Sequence, residues 1–386
     1  MMVVGVLTLA VAARGSVELG GLTSAMVGLG VACFGPLIGA AADRFGQRPA
    51  LLISAAANSL ALGALAWVAF SPLPAWAMLA GSFLVGATAP QISPMSRSRL
   101  VLIAQQKLPR EQRPRTINAA LAYESAADEI VFIFGPVIVG LLATAFGAWA
   151  PIVGAALLTA VFVSAFALHR TSPPARTQEQ QESELAPVSE LWRAPLVVTV
   201  LGIFAVGLFF GSMLTSLTAF MQDHGAPERA GLLYGVMGIG PAILAIGVTW
   251  FSPRFTLRYR WLAFAALLSA GCVLLQTVHE VLTIALALSV IGFGIGPLLV
   301  TLYGFGAART PMGRSATVMT MLGSGIIIGQ SLAAAITGIV AESAGTQLSL
   351  ALPLASALLA LILGLVNWRL TPAGRLAPAT GPVRVQ

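Results

Sequence analysis

The chain has 386 residues, 57% of them hydrophobic and only 9% charged, more apolar sequence than a soluble fold of this length can bury. Lipid must therefore be the solvent for most of it. The net charge of +7 does not describe a nucleic-acid surface, because the basic residues sit in short gaps between apolar runs and not in a patch among aromatics.

A membrane crossing needs about 20 predominantly apolar residues. In chain order, candidate spans fall near 1–13, 22–42, 49–70, 75–96, 117–145 and 148–168. A second set falls near 195–221, 230–251, 261–278, 281–307, 315–340 and 347–369. The first is short, since only 13 residues precede Arg14. Ala10-Val11-Ala12 resembles a leader cleavage site, but no charged segment precedes it, so the expectation is a chain that begins inside its first helix. Cys33 and Cys272 both lie within spans, where core packing and not a disulfide is the reading.

The basic residues fix the orientation. With a cytoplasmic N-terminus, 19 of them, among them Arg44, Arg48, Arg97, Arg99, Lys107 and Arg309, fall in inner loops and the tail, against Arg14 and Arg229 outside. That asymmetry places both termini in the cytoplasm. The longest polar stretch, 171–193, reads as a cytoplasmic linker. It separates an N-terminal six-helix bundle, 1–170, from a C-terminal one, 194–370, with a cytoplasmic tail at 371–386. The halves are related: an offset of 198 aligns Arg115–Gly147 with Gly313–Gly345, pairing Gly140 with Gly338 and Gly147 with Gly345. Gly86–Pro90 likewise resembles Gly292–Pro297. The fold class is all-α integral membrane, twelve transmembrane helices in two pseudo-symmetric six-helix bundles.

The turn after the second span reads Gly39-Ala40-Ala41-Ala42-Asp43-Arg44-Phe45-Gly46-Gln47-Arg48. It resembles the Gly-x-x-x-Asp-Arg-x-Gly-Arg-Arg signature of the major facilitator superfamily, in the same cytoplasmic loop, and departs from it at Gln47. The resemblance implies two bundles around a central cavity and alternating access by rocking. It assigns Gly39, Asp43, Arg44, Gly46 and Arg48 to a gating loop that latches the outward-facing arrangement through charge and helix-dipole contacts. The matching loop of the second half, 252–260, keeps basic residues and not the motif.

The fifth span carries Glu124, Asp128 and Glu129. The first two are four apart and share a helix face, and Glu129 lies about 100° further round. Charged acids at this depth are costly and rarely face lipid, so the expectation is a proton-coupling site. The alternative pairs them with Arg97 or Arg99, although no basic residue stands within a span at the depth expected for Asp128 and Glu129. The offset of 198 puts Leu322, Ile326 and Ile327 at the matching positions, so the acids are an addition to one half only. Gly135 and Pro136 follow in Phe134–Gly140, a stretch partly resembling the fifth-helix Gly-Pro motif of drug–proton antiporters in the same superfamily, and read as a hinge or as a packing kink. Gln91, Asn118, Tyr123, Thr215, Tyr234, Tyr303, Thr317, Thr320, Ser324 and Gln330 are polar residues expected to line the cavity or to bond between helices.

No phosphate-binding loop and no metal-ligand spacing is present, and His169, His224 and His279 are isolated near span ends, so the chain does not read as an enzyme. The expected function is proton-coupled export of a small organic compound. The alternatives are proton-coupled uptake and a non-transporting receptor or assembly protein on the same fold. The expected partners are the lipid bilayer, a small-molecule substrate and protons, with no cofactor beyond the proton gradient and a monomeric state. The preference for Arg, with abundant Ala and Gly, suggests a bacterial source and hence a bacterial inner membrane.

Overall fold

The computed structural model describes residues 2–14, 17–173, 185–224, 230–238, 240, 255–277 and 280–371. All regular structure among these residues is helical. The first half contains α1 (Met2–Arg14), α2 (Val17–Phe45), α3 (Gln47–Phe70), α4 (Ala75–Ala87), α5 (Ile92–Lys107), α6 (Arg113–Phe146), α7 (Ala150–Leu158) and α8 (Ser164–Leu168). A single π turn, Thr159–Val163, joins the last two. The second half contains α9 (Ala194–Asp223), α10 (Ala230–Val236), α11 (Leu257–Leu275), α12 (Val281–Arg309), α13 (Ser315–Ala344), α14 (Thr346–Ser349) and α15 (Leu352–Leu370).

Among the described residues nine helices are long and apolar enough to cross a membrane. Beyond them, the predicted first span is the 13-residue α1, and the fifth is the 34-residue α6 that carries the acids. Most of the predicted eighth span, 241–251, lies outside the described residues, as do 174–184 of the linker, Arg229, residues 252–254, His279 and the tail from 372.

The fourth span differs most from expectation. It breaks at Thr88–Gln91 and resumes as α5, which carries Arg97 and Arg99 inside the helix and not in a loop. Asn58 of α3 donates to the carbonyl of Val85 (2.8 Å) and to Thr88 Oγ1 (3.2 Å), satisfying groups that the break at Pro90 leaves over. The resembling Pro297 sits inside the unbroken α12. The repeat is clearer elsewhere: α6 and α13 both end on a glycine of positive φ, Gly147 at 99° and Gly345 at 88°, the pair aligned by the offset of 198.

One apolar cluster lies within the first half, built from Val6, Leu9, Val27, Leu62, Leu65, Met78 and Ile152. The largest lies in the second half around Phe209, Met213, Trp261, Leu298 and Phe305, and it extends to Val101 and Leu121 of the first. In the second half α9 packs along α13 and α15, and α11 along α12 and α15. Between the halves, α2 runs along α13, α5 meets α13, and α6 meets α10 and α12.

Phe45, Lys107, Arg113, Arg193, Arg309 and Ser315 all fall at one end of the bundle, called here the basic end. One arginine ties each half together there. Arg99 reaches Gln47 at the start of α3 and Phe166 in α8. Arg309 donates to Pro195 O (2.6 Å) and Thr199 (2.7 Å) on α9, and to Asn367 (2.5 Å) on α15 and Thr371 (2.7 Å) just beyond it. Arg309→Lys is expected to lower stability by about 2 kcal/mol in a thermal unfolding assay, since one ammonium cannot serve both sides of the fork. Unchanged unfolding would show that the four bonds contribute little.

Candidate gate and proton site

At the end of α2 the turn is held by Gly46, whose φ of 93° suits glycine, with Gly46 N–H donating to Ala42 O. The turn aims Asp43 across the boundary between halves. Its carboxylate accepts from Ala316 N (2.9 Å), Thr317 N (2.6 Å) and Thr317 Oγ1 (2.7 Å). Because α13 begins at Ser315, these amides are among the four that a helix N-terminus leaves unpaired. Asp43 thus caps a helix of the other half, adding charge–dipole attraction to the hydrogen bonds. The two helices run antiparallel above the cap, with Gly39 against Thr320, Gly35 against Ser324 and Gly28 against Ser331. A Cβ at Gly39 would fall on the Thr320 hydroxyl. The seam extends from Asp43 to Gly28, about 22 Å along the helix.

The expected gating arginines stay within the first half. Arg48 donates to Leu168 O (3.0 Å), and Arg44 stacks on neighbouring Phe45. Gln47, the departure from the signature, is buried and accepts from Arg99 Nε (3.2 Å) and Nη2 (3.0 Å) while donating to Ser98 (2.9 Å). A basic residue would point its charge at Arg99. Gln47→Arg is expected to cost about 3 kcal/mol in thermal unfolding. Combining it with Arg99→Gln, which restores one cation facing one amide, should recover most of that, and no recovery would contradict the account.

The acids meet a polar stripe on α5. Ser96 donates to Glu124 Oε1 (2.8 Å) and Ser93 to both oxygens of Asp128 (3.2 and 3.1 Å). Arg97 Nη2 donates to Asp128 Oδ2 at 2.6 Å and Nη1 to Ser93 Oγ at 2.5 Å. The Arg97 side chain is 1% exposed and that of Asp128 is 49% exposed. The guanidinium lies 4.1 Å over the ring of Tyr303, in α12 of the other half, and its Nε has no partner among the described residues. This corrects the expectation that no basic residue reaches the depth of Asp128. The break at Thr88–Gln91 starts a new helix that carries Arg97 there, and the long side chain covers the remaining gap.

Asp128 lies on the packed face of α6. Buried Leu121, Gly135 and Val139 lie within about 20° of it around α6, whereas the outer face is marked by Leu141 at 66% exposure. Tyr123 shares the angle of Leu141 and is 71% exposed, so it leaves the list of cavity residues. The backbone of α6 is helical through Glu129 and Pro136, whose side chains lie outside the described residues.

The other candidates are spread through the bundle. Thr317 and Thr320 are buried in the cap and seam, and Ser324 beside Gly35. Tyr303 is buried beneath Arg97, and Tyr234 lies in the large apolar cluster. Thr215 bonds back to Gly211 O, and the Gln330 backbone abuts Gly211. Gln91 is buried at the start of α5, and Asn118 approaches Gly304 across the boundary of halves.

Comparison with known proteins agrees with this architecture. A family model described as Major Facilitator Superfamily matches residues 1–323. A search of curated proteins finds no match. Among solved structures, the human organic anion transporter MFSD10 (TETRAN) is similar with a TM-score of 0.68 at 18% identity, covering 89% of this chain and 83% of that one. A single-residue variant of the E. coli fucose:proton symporter FucP gives 0.68 at 14% identity over 95% and 96%. A bacterial homologue of the iron transporter ferroportin, outward-facing, gives 0.69 at 11% identity over 95% and 98%. At these identities the likeness is one of fold. With the family model matching most of the chain, and the fold and gate signature in agreement, this multi-pass membrane protein belongs to the major facilitator superfamily.

Proposed function

We propose that this chain is a proton-coupled secondary transporter, not an enzyme, which moves a small organic compound by alternating access. It acts as a monomer in a bacterial inner membrane with the basic end and both termini in the cytoplasm, the halves 1–170 and 194–370 rocking about the cavity. The observation that carries the reading is that half-exposed Asp128 pairs with buried Arg97, whose other face rests on Tyr303 of the second half. A proton on Asp128 cancels the partner charge of Arg97, so proton binding bears on a group that touches both halves. Glu124 and Glu129 belong to the same site, and Gly135-Pro136 gives α6 its hinge. Asp43 latches the cytoplasmic side, and protonation from outside precedes release of the latch.

Export in exchange for protons requires a substrate that competes with the proton at the acids. Arg97 favours the second reading, proton-coupled uptake, because neutralising Asp128 leaves a cation seeking an anion. Cells producing the protein, given a panel of acidic, basic and neutral labelled compounds, separate the two. Lower accumulation than in deletion cells supports export and higher supports uptake. No compound changing its accumulation would overturn transport.

A further inference from the structure

The proton-coupled reading leaves the cargo unspecified, and Arg97 narrows it. The cation is 1% exposed, bonded to one carboxylate and one hydroxyl, with a buried Nε that has no partner among the described residues. Its only ionic partner there, Asp128, is the exposed member of the pair, so the site opens from the Asp128 side. Buried cations demand an anion, and losing Asp128 without replacement would be strongly unfavourable. We infer that Arg97 is a binding residue for the carboxylate of an organic anion, which takes the place of Asp128 when that acid is protonated.

The exchange balances in charge. A proton goes to the Asp128 carboxylate, the Arg97–Asp128 ion pair breaks, and an ion pair between Arg97 and the incoming carboxylate forms. The net charge of the site is the same before and after, so one monoanion enters with one proton, and proton and anion help each other to bind. That is the linkage of a symporter, and the inference rests on proton coupling at Asp128.

Among the described side chains around Asp128, Arg97 is the cation paired with it, and Glu129, one residue on, lies outside the described side chains. The groups around it are Ser93, Ser96 and Arg97 on α5 and Tyr303 on α12. Glu124 on its own helix is held by Ser96, Tyr234 is the ionisable residue of α10, α7 has none, and Arg14 of α1 is engaged with carbonyls of Val68, Ser71 and Leu73. Ser93 remains beside Arg97 to donate to an incoming carboxylate.

The test is binding of acetate, benzoate and salicylate to purified full-length protein between pH 5.5 and 8.5, with benzamide and benzylamine as matched neutral and cationic compounds. At least one carboxylate should bind, about tenfold more tightly per pH unit of acidification where Asp128 is ionised. Asp128→Asn should bind it without pH dependence and at least as tightly as the parent at low pH. Arg97→Gln should lose it, and Arg97→Gln/Asp128→Asn, which removes both charges, tests the same loss if the single variant does not fold. Benzamide or benzylamine binding as well as benzoate, or no carboxylate binding while another compound still drives protons into liposomes, would overturn the anion site and leave proton coupling standing. Carboxylate binding that is independent of pH in the parent would overturn the exchange and the coupling reading with it.

Discussion

Asp128→Ala is expected to destabilise the protein by about 3 kcal/mol, because it leaves Arg97 buried with no carboxylate. Arg97→Leu should cost less, since Asp128 is 49% exposed and can turn to water. The double variant Arg97→Leu/Asp128→Ala should be closer to the parent than Asp128→Ala alone, as replacing both members of an ion pair by apolar groups is often nearly neutral. Thermal unfolding of the four proteins measures the cycle. Additive losses would show that the 2.6 Å contact carries no coupling energy.

Asp43→Ala should open the basic end. It removes three hydrogen bonds at the start of α13 together with a charge–dipole attraction. A cap contributes about 0.5–2 kcal/mol and the dipole term about 0.3–1. A combined loss near 2 kcal/mol shifts an open–closed equilibrium roughly thirtyfold. Thr320 reports it, being fully buried in the seam that the cap closes. With Cys33 and Cys272 changed to Ser, a cysteine at position 320 should react slowly with a thiol reagent in the parent background. Added Asp43→Ala should accelerate that reaction about thirtyfold, and Thr317→Val only a few-fold. An unchanged rate would mean that Asp43 does not hold the halves together.

Much of this gate can be read from residues. Gly39, Asp43 and Gly46 are marked by the resemblance to the superfamily signature, and their chemistry suits it: a small residue for close approach, an acid one turn on, and a glycine for the turn. Their partners do not, because Ala316 and Thr317 stand over 270 residues away and nothing local in Ser315–Ala344 marks its first turn as a docking site. Gln47 reads as a departure from the signature and is matched to Arg99, a pairing between two spans that one sequence does not display. The acids are visible by depth alone. Arg97 reads as a loop residue because it directly follows the expected span 75–96, whereas Asn58 supports a break within that span and lets a helix resume. The stripe Ser93, Ser96 and Arg97, at helical spacing opposite Glu124 and Asp128, is the signal that the sequence does hold. Polarity alone misplaces Tyr123 and Thr320, since it does not say whether a residue turns to lipid, a seam or a cavity.

The central claim is that Asp128 couples proton movement to transport. Its most direct test uses the purified protein in liposomes with an internal pH dye and a compound found to be transported. The parent should change the lumenal pH in step with entry of the compound, to acid for symport and to alkaline for exchange. Asp128→Asn should still exchange labelled for unlabelled compound across the membrane, with no accompanying proton movement. Proton movement in Asp128→Asn equal to that of the parent would contradict the account.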